Sequence, residues 1–321
     1  MALPSISVDL EQFERQFAVR LCDREAAVQF LLQYLAGQHA GRLRPKVLLL
    51  TAGMQGGIGP ESQRMALVVE LLHLASLIHD DVVDHATERR NQQTVNAVWD
   101  NKIAVLLGDF LLSKVLELVR DSALTGVLDR VSAVVRQLTA GEISQLSQCN
   151  NLELSEPDYL HIVSLKTASL IETSFRLGAL SAGADAEQEE AFGRFGQRFG
   201  CFFQLKDDLK DYTVTSDGKG MYNDIREGDV TLPVIYAMQR LCLAERAVFR
   251  QQYLQIGKDE PLLAGLAETV RRCGALEQAC MQLRKMEEEL LRDVAAFPAS
   301  PYRDDLTQLV RETGNLDFLQ L

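Results

Sequence analysis

The chain has 321 residues, 47% of them apolar, and its 33 basic and 45 acidic side chains leave a net charge of −12. That apolar content suffices for a full core in one large domain or two smaller ones. The acidic balance excludes general binding to nucleic acid or to an anionic membrane surface. Six cysteines, at 22, 149, 201, 242, 273 and 280, show no CxxC or zinc-finger spacing and read as reduced thiols. The opening MALPSISVDLEQ lacks the basic-then-apolar pattern of a signal peptide. No apolar run reaches the ~18 residues of a spanning helix; the nearest, 103–119, is broken by Asp109 and Lys114. A soluble, cytoplasmic protein is the expectation.

Apolar residues recur at three- and four-residue spacing, and no Asn-Gly or Asp-Gly turn joins two alternating runs, so amphipathic helices are predicted throughout. They fall at about 9–37, 44–55, 61–85, 94–120, 122–149, 156–183, 187–213, 230–254, 262–296 and 301–314. Pro60 suits the start of one helix, and Ser155-Glu-Pro-Asp the start of another. The one long irregular segment, Thr213–Val230, carries three glycines and reads as a functional loop, with a lid as its expected role. No linker or low-complexity tract interrupts the pattern. The fold class is all-α: a single helical domain spanning 1–321, bundled around a central cavity.

Two acidic turns stand out. On a helix over 61–85, His73, Leu77, Asp80 and Asp84 share a face, with Asp81 about 100° round from Asp80. Like charges four residues apart repel unless a cation joins them, and no lysine stands among these. An oxygen-only donor set suits Mg²⁺, which takes a few carboxylates together with waters and substrate phosphate. A solvated helix end is the plain alternative for one such turn. A second turn, in which Gln204, Asp207 or Asp208, and Asp211 share a face after Phe202-Phe203, weakens that alternative. The two are expected to face one pocket for a polyanion. Arg44, Arg89, Arg90, Lys166, Lys219 and Arg226 supply cations suited to phosphate oxygens. Adjacent His79-Asp80 also fits a metal phosphohydrolase of the HD type, but His39, His85 and His161 lack the spacing for its metals. His73 suits core packing and ligand contact equally.

These motifs resemble the trans-isoprenyl diphosphate synthases, or polyprenyl synthetases, from about Gly41 to Pro233. The resemblance is carried by GRLRP at 41–45, HLASLIHDDVVD at 73–84, ERR at 88–90, NKIAVLLGDFLLSK at 101–114, KTASL at 166–170, FFQLKDDLKD at 202–211 and NDIREGDVTLP at 223–233. It implies head-to-tail 1'-4 condensation of isopentenyl diphosphate onto an allylic diphosphate. Several Mg²⁺ ions would be held by Asp80, Asp84 and Asp207, with Asp81, Asp208 and Asp211 binding through water or as supports. Arg89 and Lys166 would grip the allylic diphosphate, and Arg44, His73 and Arg90 the isopentenyl diphosphate, with Lys219 as a further cation. Thr167 and Gln204 would face the reacting carbons. The chain departs from the pattern at Gly41 and Asp229, where the family usually carries lysine; Arg42, Lys46 or Lys219 are the candidates to compensate.

One turn below the first acidic cluster stand Ala75 and Ser76, with Leu72 beyond. Small side chains there leave a product cavity open, and one turn of about 5.4 Å matches about one isoprene unit. A medium- or long-chain all-trans product is therefore expected. The resemblance also implies a homodimer and allows transient membrane contact for product release. The other readings are a non-catalytic or regulatory subunit of a heteromeric synthase, and a shorter-chain geranylgeranyl or farnesyl synthase.

Overall fold

Helix ends follow local chemistry. The backbone N–H of Gly59 donates to Ser62 Oγ at 3.2 Å where Pro60–Val83 begins. Asp100 Oδ1 accepts the Ile103 N–H at 2.8 Å ahead of Asn101–Arg120, and Ser155 Oγ accepts the Asp158 N–H at 3.3 Å ahead of Glu156–Val163. Each satisfies a donor that the first helical turn leaves without an intrahelical partner.

A computed structural model describes residues 3–36, 41–89, 92–213, 222–255, 260–317 and 319. The described residues are almost wholly helical, as the periodicity predicts. Four long predicted helices are each divided. The span 9–37 is Ser7–Arg20 and Ala26–Ala36, the span 94–120 is Val95–Val98 and Asn101–Arg120, the span 230–254 is Leu232–Arg240 and Leu243–Tyr253, and the span 262–296 is Glu260–Arg272 and Ala275–Ala295. The single strand pairing among the described residues is a hairpin of Glu88–Arg89 against Gln92–Gln93. No helix is long and apolar enough to cross a membrane among them.

Two compact units emerge. The first comprises Met1–Arg136, Leu170–Gly196 and Phe297–Leu306. Its central element is Pro60–Val83, in which every residue from Met65 to Leu72 is buried, the signature of a helix enclosed on all sides. Leu43–Gln55 and Asn101–Arg120 pack against it. The second unit comprises Gln137–Ser169, Gln197–Ala296 and Thr307–Leu321. Phe199, Phe202, Leu205 and Leu209 form a buried stripe there, and Leu232–Arg240 packs on Ala275–Ala295.

Candidate active site

In the first unit, the chain turns sharply after the DDVVD segment. His85 adopts the left-handed conformation, with φ of 53°, which ends the helix. The Ala86 N–H returns to the Asp81 carbonyl at 3.0 Å, and Asn96 Nδ2 bridges the carbonyls of Asp81 and Ala86 at 3.2 and 2.9 Å. The hairpin then brings Arg89 Nε to 2.7 Å from Asp81 Oδ1. Asp81 is 6% exposed; burial pushes its carboxyl up, Arg89 pulls it back, and Asp84 adds to the rise. Asp80 is half-buried and Asp84 exposed.

His79, next in the chain, faces the neighbouring helix. Its Nε2 lies 3.2 Å from the Val105 carbonyl and 3.6 Å from Asp109 Oδ1, over Gly108, where any Cβ would run into the imidazole. His73 and Arg44 are half-buried, and the His73 carbonyl accepts from Ser76 Oγ at 2.9 Å. Ala75 and Leu72 lie in the core at 1% and 2% exposure. Arg42 is bound elsewhere, to Glu14 at 2.9 Å and to buried Glu70 at 2.7 Å, with its guanidinium 4.3 Å from the Phe17 ring centroid. Lys46 instead brings its ammonium to the Gly41 carbonyl, at 2.9 Å.

In the second unit, the KTASL segment starts within a π-helical turn, Ser164–Ala168, and runs on into the helix Ser169–Ser181. Gly141 lies directly against the Lys166 backbone, so closely that a Cβ would not fit. Lys166 Nζ sits 2.8 Å from Glu142 Oε2. Thr167 Oγ1 donates to Gln204 Oε1 at 2.7 Å, and Gln204 Nε2 donates to Asp208 Oδ1 at 2.8 Å. Asp208 is 4% exposed, and its other oxygen accepts the Tyr159 hydroxyl at 2.5 Å. Burial pushes Asp208 up to about 7, while the Tyr159 and Gln204 hydrogen bonds oppose the rise. Asp211 accepts the N–H groups of Asn223 and Asp224 at 2.9 and 3.0 Å, capping Asn223–Glu227. Burial raises its carboxyl, and those two bonds pull it down. Asp207 sits at 39% side-chain exposure, 2.6 Å from Lys210.

The six predicted carboxylates therefore differ in character. Asp84 is exposed and Asp80 and Asp207 are half-buried, whereas Asp81 and Asp208 are buried and Asp211 caps a helix. Among the described residues, no three acidic, histidine or cysteine side chains form a ready-made metal cage. Arg90, Lys219 and the predicted lid, as far as it spans 214–221, lie outside the described residues. Asp229, in place of a lysine, accepts from Gln145 Nε2, and its carbonyl accepts the Tyr253 hydroxyl at 3.0 Å. Sequence reasoning missed Tyr159, Glu142 and Asn96. Each sits in a stretch with no motif of its own, and only the fold shows what it touches.

The polyprenyl synthetase family profile matches residues 25–269. Octaprenyl diphosphate synthase of Escherichia coli is 31% identical over 278 residues, covering 86% of each chain. Heptaprenyl diphosphate synthase component 2 of Bacillus subtilis is 30% identical over 326 residues, covering 99% of this chain and 91% of its own. The crystal structure of a Caulobacter crescentus polyprenyl synthase, complexed with calcium and isoprenyl diphosphate, superposes with a TM-score of 0.91 at 30% identity over 97% of this chain and 96% of that one. With the family profile over 25–269 and relatives matched along most of the length, the chain that carries the carboxylate clusters at 80–84 and 207–211 belongs to the polyprenyl synthetase family.

Proposed function

We propose that this protein is a Mg²⁺-dependent trans-prenyltransferase. It condenses isopentenyl diphosphate head-to-tail with an allylic diphosphate to give a medium- or long-chain all-trans polyprenyl diphosphate. The observation that carries this reading is that each acidic motif pairs a buried carboxylate, Asp81 or Asp208, with more exposed ones beside it, Asp84 and Asp80 or Asp207. Asp80 and Asp84 in one motif, and Asp207 in the other, would hold the ions. Bound there, Mg²⁺ supplies positive charge against the negative charge that develops on the leaving diphosphate. The Caulobacter protein, with calcium and isoprenyl diphosphate together, supports that pairing by analogy.

Arg89 and Lys166 grip the allylic diphosphate, each exchanging a carboxylate partner (Asp81 and Glu142) for phosphate oxygens. Arg44 and His73 hold isopentenyl diphosphate, and Lys46, whose ammonium already sits at Gly41, supplies the charge that Gly41 lacks. Arg42 does not, because Glu14 and Glu70 hold it. Thr167 and Gln204 turn oxygen dipoles toward the allylic cation left when the C–O bond breaks. The alkene of isopentenyl diphosphate is the nucleophile, and the departed diphosphate accepts the proton, so the protein needs no nucleophilic side chain.

Purified protein incubated with Mg²⁺, farnesyl diphosphate and isopentenyl diphosphate should yield products of roughly six to ten isoprene units, at about one unit per open helical turn. Ala75→Phe should shorten them. Diphosphate release without elongation would reject the reading, and an unchanged length in Ala75→Phe would reject the ruler. A second reading, a subunit active only with another chain, is favoured by Asp229 in place of a lysine and by likeness to a relative named as one component of a synthase. Activity that appears only when a second chain is added would establish it.

A further inference from the structure

Tyr159 is absent from every motif, yet its hydroxyl is aimed at the most enclosed carboxylate of the second cluster. Tyr159 and Asp208 are 5% and 4% exposed, and they meet at 2.5 Å. From there the bonds run in one direction. Asp208 Oδ1 accepts from Gln204 Nε2 at 2.8 Å, and Gln204 Oε1 accepts from Thr167 Oγ1 at 2.7 Å. Both Asp208 oxygens accept, so the Gln204 amide presents its nitrogen to Asp208 and its carbonyl end to Thr167. Thr167 must then spend its single hydrogen on Gln204, leaving its lone pairs facing outward.

We propose that Tyr159 is a positioning residue which, through Asp208 and Gln204, sets the polarity of the Thr167 hydroxyl. The inference rests on the reading above that Thr167 faces the reacting carbons. A hydroxyl that turns its oxygen outward stabilises an allylic cation, whereas one that turns its hydrogen outward opposes it. Asp208 acts in this chain as its acceptor-only anchor. Its two oxygens serve Tyr159 and Gln204, while Asp207 beside it is only half-buried. Losing the anchor frees the amide to reverse, and Thr167 with it.

The test is a double-mutant cycle between Tyr159 and Thr167, with thermal melts run alongside. Tyr159→Phe, which removes one oxygen, should lower kcat at saturating Mg²⁺ and substrates by about tenfold, with KM for both diphosphates moved less than about threefold. In a Thr167→Ala background the same change should cost less than about twofold, since no hydroxyl remains to orient. Asp208→Asn, which offers an amide N–H where a lone pair stood, should lower kcat at least as much while the half-saturating Mg²⁺ stays within about threefold. It serves as the second probe if Tyr159→Phe fails to fold. An undiminished cost of Tyr159→Phe in the Thr167→Ala background overturns the relay. So does an Asp208→Asn enzyme with intact kcat and a Mg²⁺ requirement raised tenfold or more, which would make Asp208 a metal ligand. A Thr167→Ala enzyme of full kcat removes both the placement of Thr167 at the reacting carbons and the relay, whereas an impaired one with additive costs removes the relay alone.

Discussion

Arg42 shows how one side chain can belong to a phosphate motif by sequence and to the core by structure. It precedes Leu43–Gln55 in the left-handed region, with φ of 53°, a conformation that costs an L residue bearing a Cβ about 1 kcal/mol or more. Two things hold it there: the ion pairs to Glu14 and Glu70, and the Phe17 ring beneath the guanidinium. Glu70 is 2% exposed, so removing its partner strands a buried carboxylate. Arg42→Ala should therefore lose about 3 kcal/mol of unfolding free energy, measured by denaturant titration. Glu70→Gln should recover part of that loss in the double variant. A midpoint unmoved by Arg42→Ala would mean that the pair merely offsets its own desolvation.

At the scale of elements, one close constraint is the approach of Val127–Ser147 to the π-helical turn Ser164–Ala168. Gly141 is the residue that permits it. A π turn inserts an extra residue into the helical register, which aims Lys166 at Glu142 and Thr167 at Gln204. Gly141→Ala would push the Lys166 backbone away, at an overpacking cost of about 1–3 kcal/mol. Because the displaced segment carries Lys166 and Thr167, the two side chains proposed to meet the substrate, kcat should fall by about a hundredfold. A folded Gly141→Ala enzyme of full activity would show that the turn tolerates displacement. Periodicity made the helices legible because burial of one face repeats every 3.6 residues, and Asp84, at the helix end, stands one turn from Asp80 with its N–H on the Asp80 carbonyl at 2.8 Å. Periodicity could not show where long helices break, because those signals are local and unusual. Cys242, a weak cap by type, precedes Leu243–Tyr253 with its N–H on Glu245 Oε2 at 2.9 Å, and Gly274 opens Ala275–Ala295 in the left-handed region at φ of 77°. Nor could it separate Asp207 from Asp208, since adjacent residues on a helix edge differ only in what packs around them. Tyr159, 49 positions from Asp208, decides that, and no spacing rule reaches so far.

On the scale of the whole molecule, a chain of net charge −12 repels its own copies at long range, so any apolar surface it exposes must be covered by a specific fit. Asn101–Arg120 carries such a surface: Val105, Leu106 and Leu116 are 41%, 64% and 57% exposed, while Ala104, Leu107, Leu111 and Leu118 hold its other face in the core. A second copy of the same helix is the occupant proposed, since a two-fold axis lets one stripe meet itself and needs no further partner. Wild-type protein should then sediment at the mass of two chains. Leu106→Glu, which places a charge where the side chain is already mostly exposed, should sediment as one chain with its thermal melt little changed. A wild-type protein that runs as a single chain would leave the stripe for a different subunit. The decisive measurement is then whether adding such a subunit raises both the sedimenting mass and prenyl transfer, and whether Leu106→Glu abolishes both together.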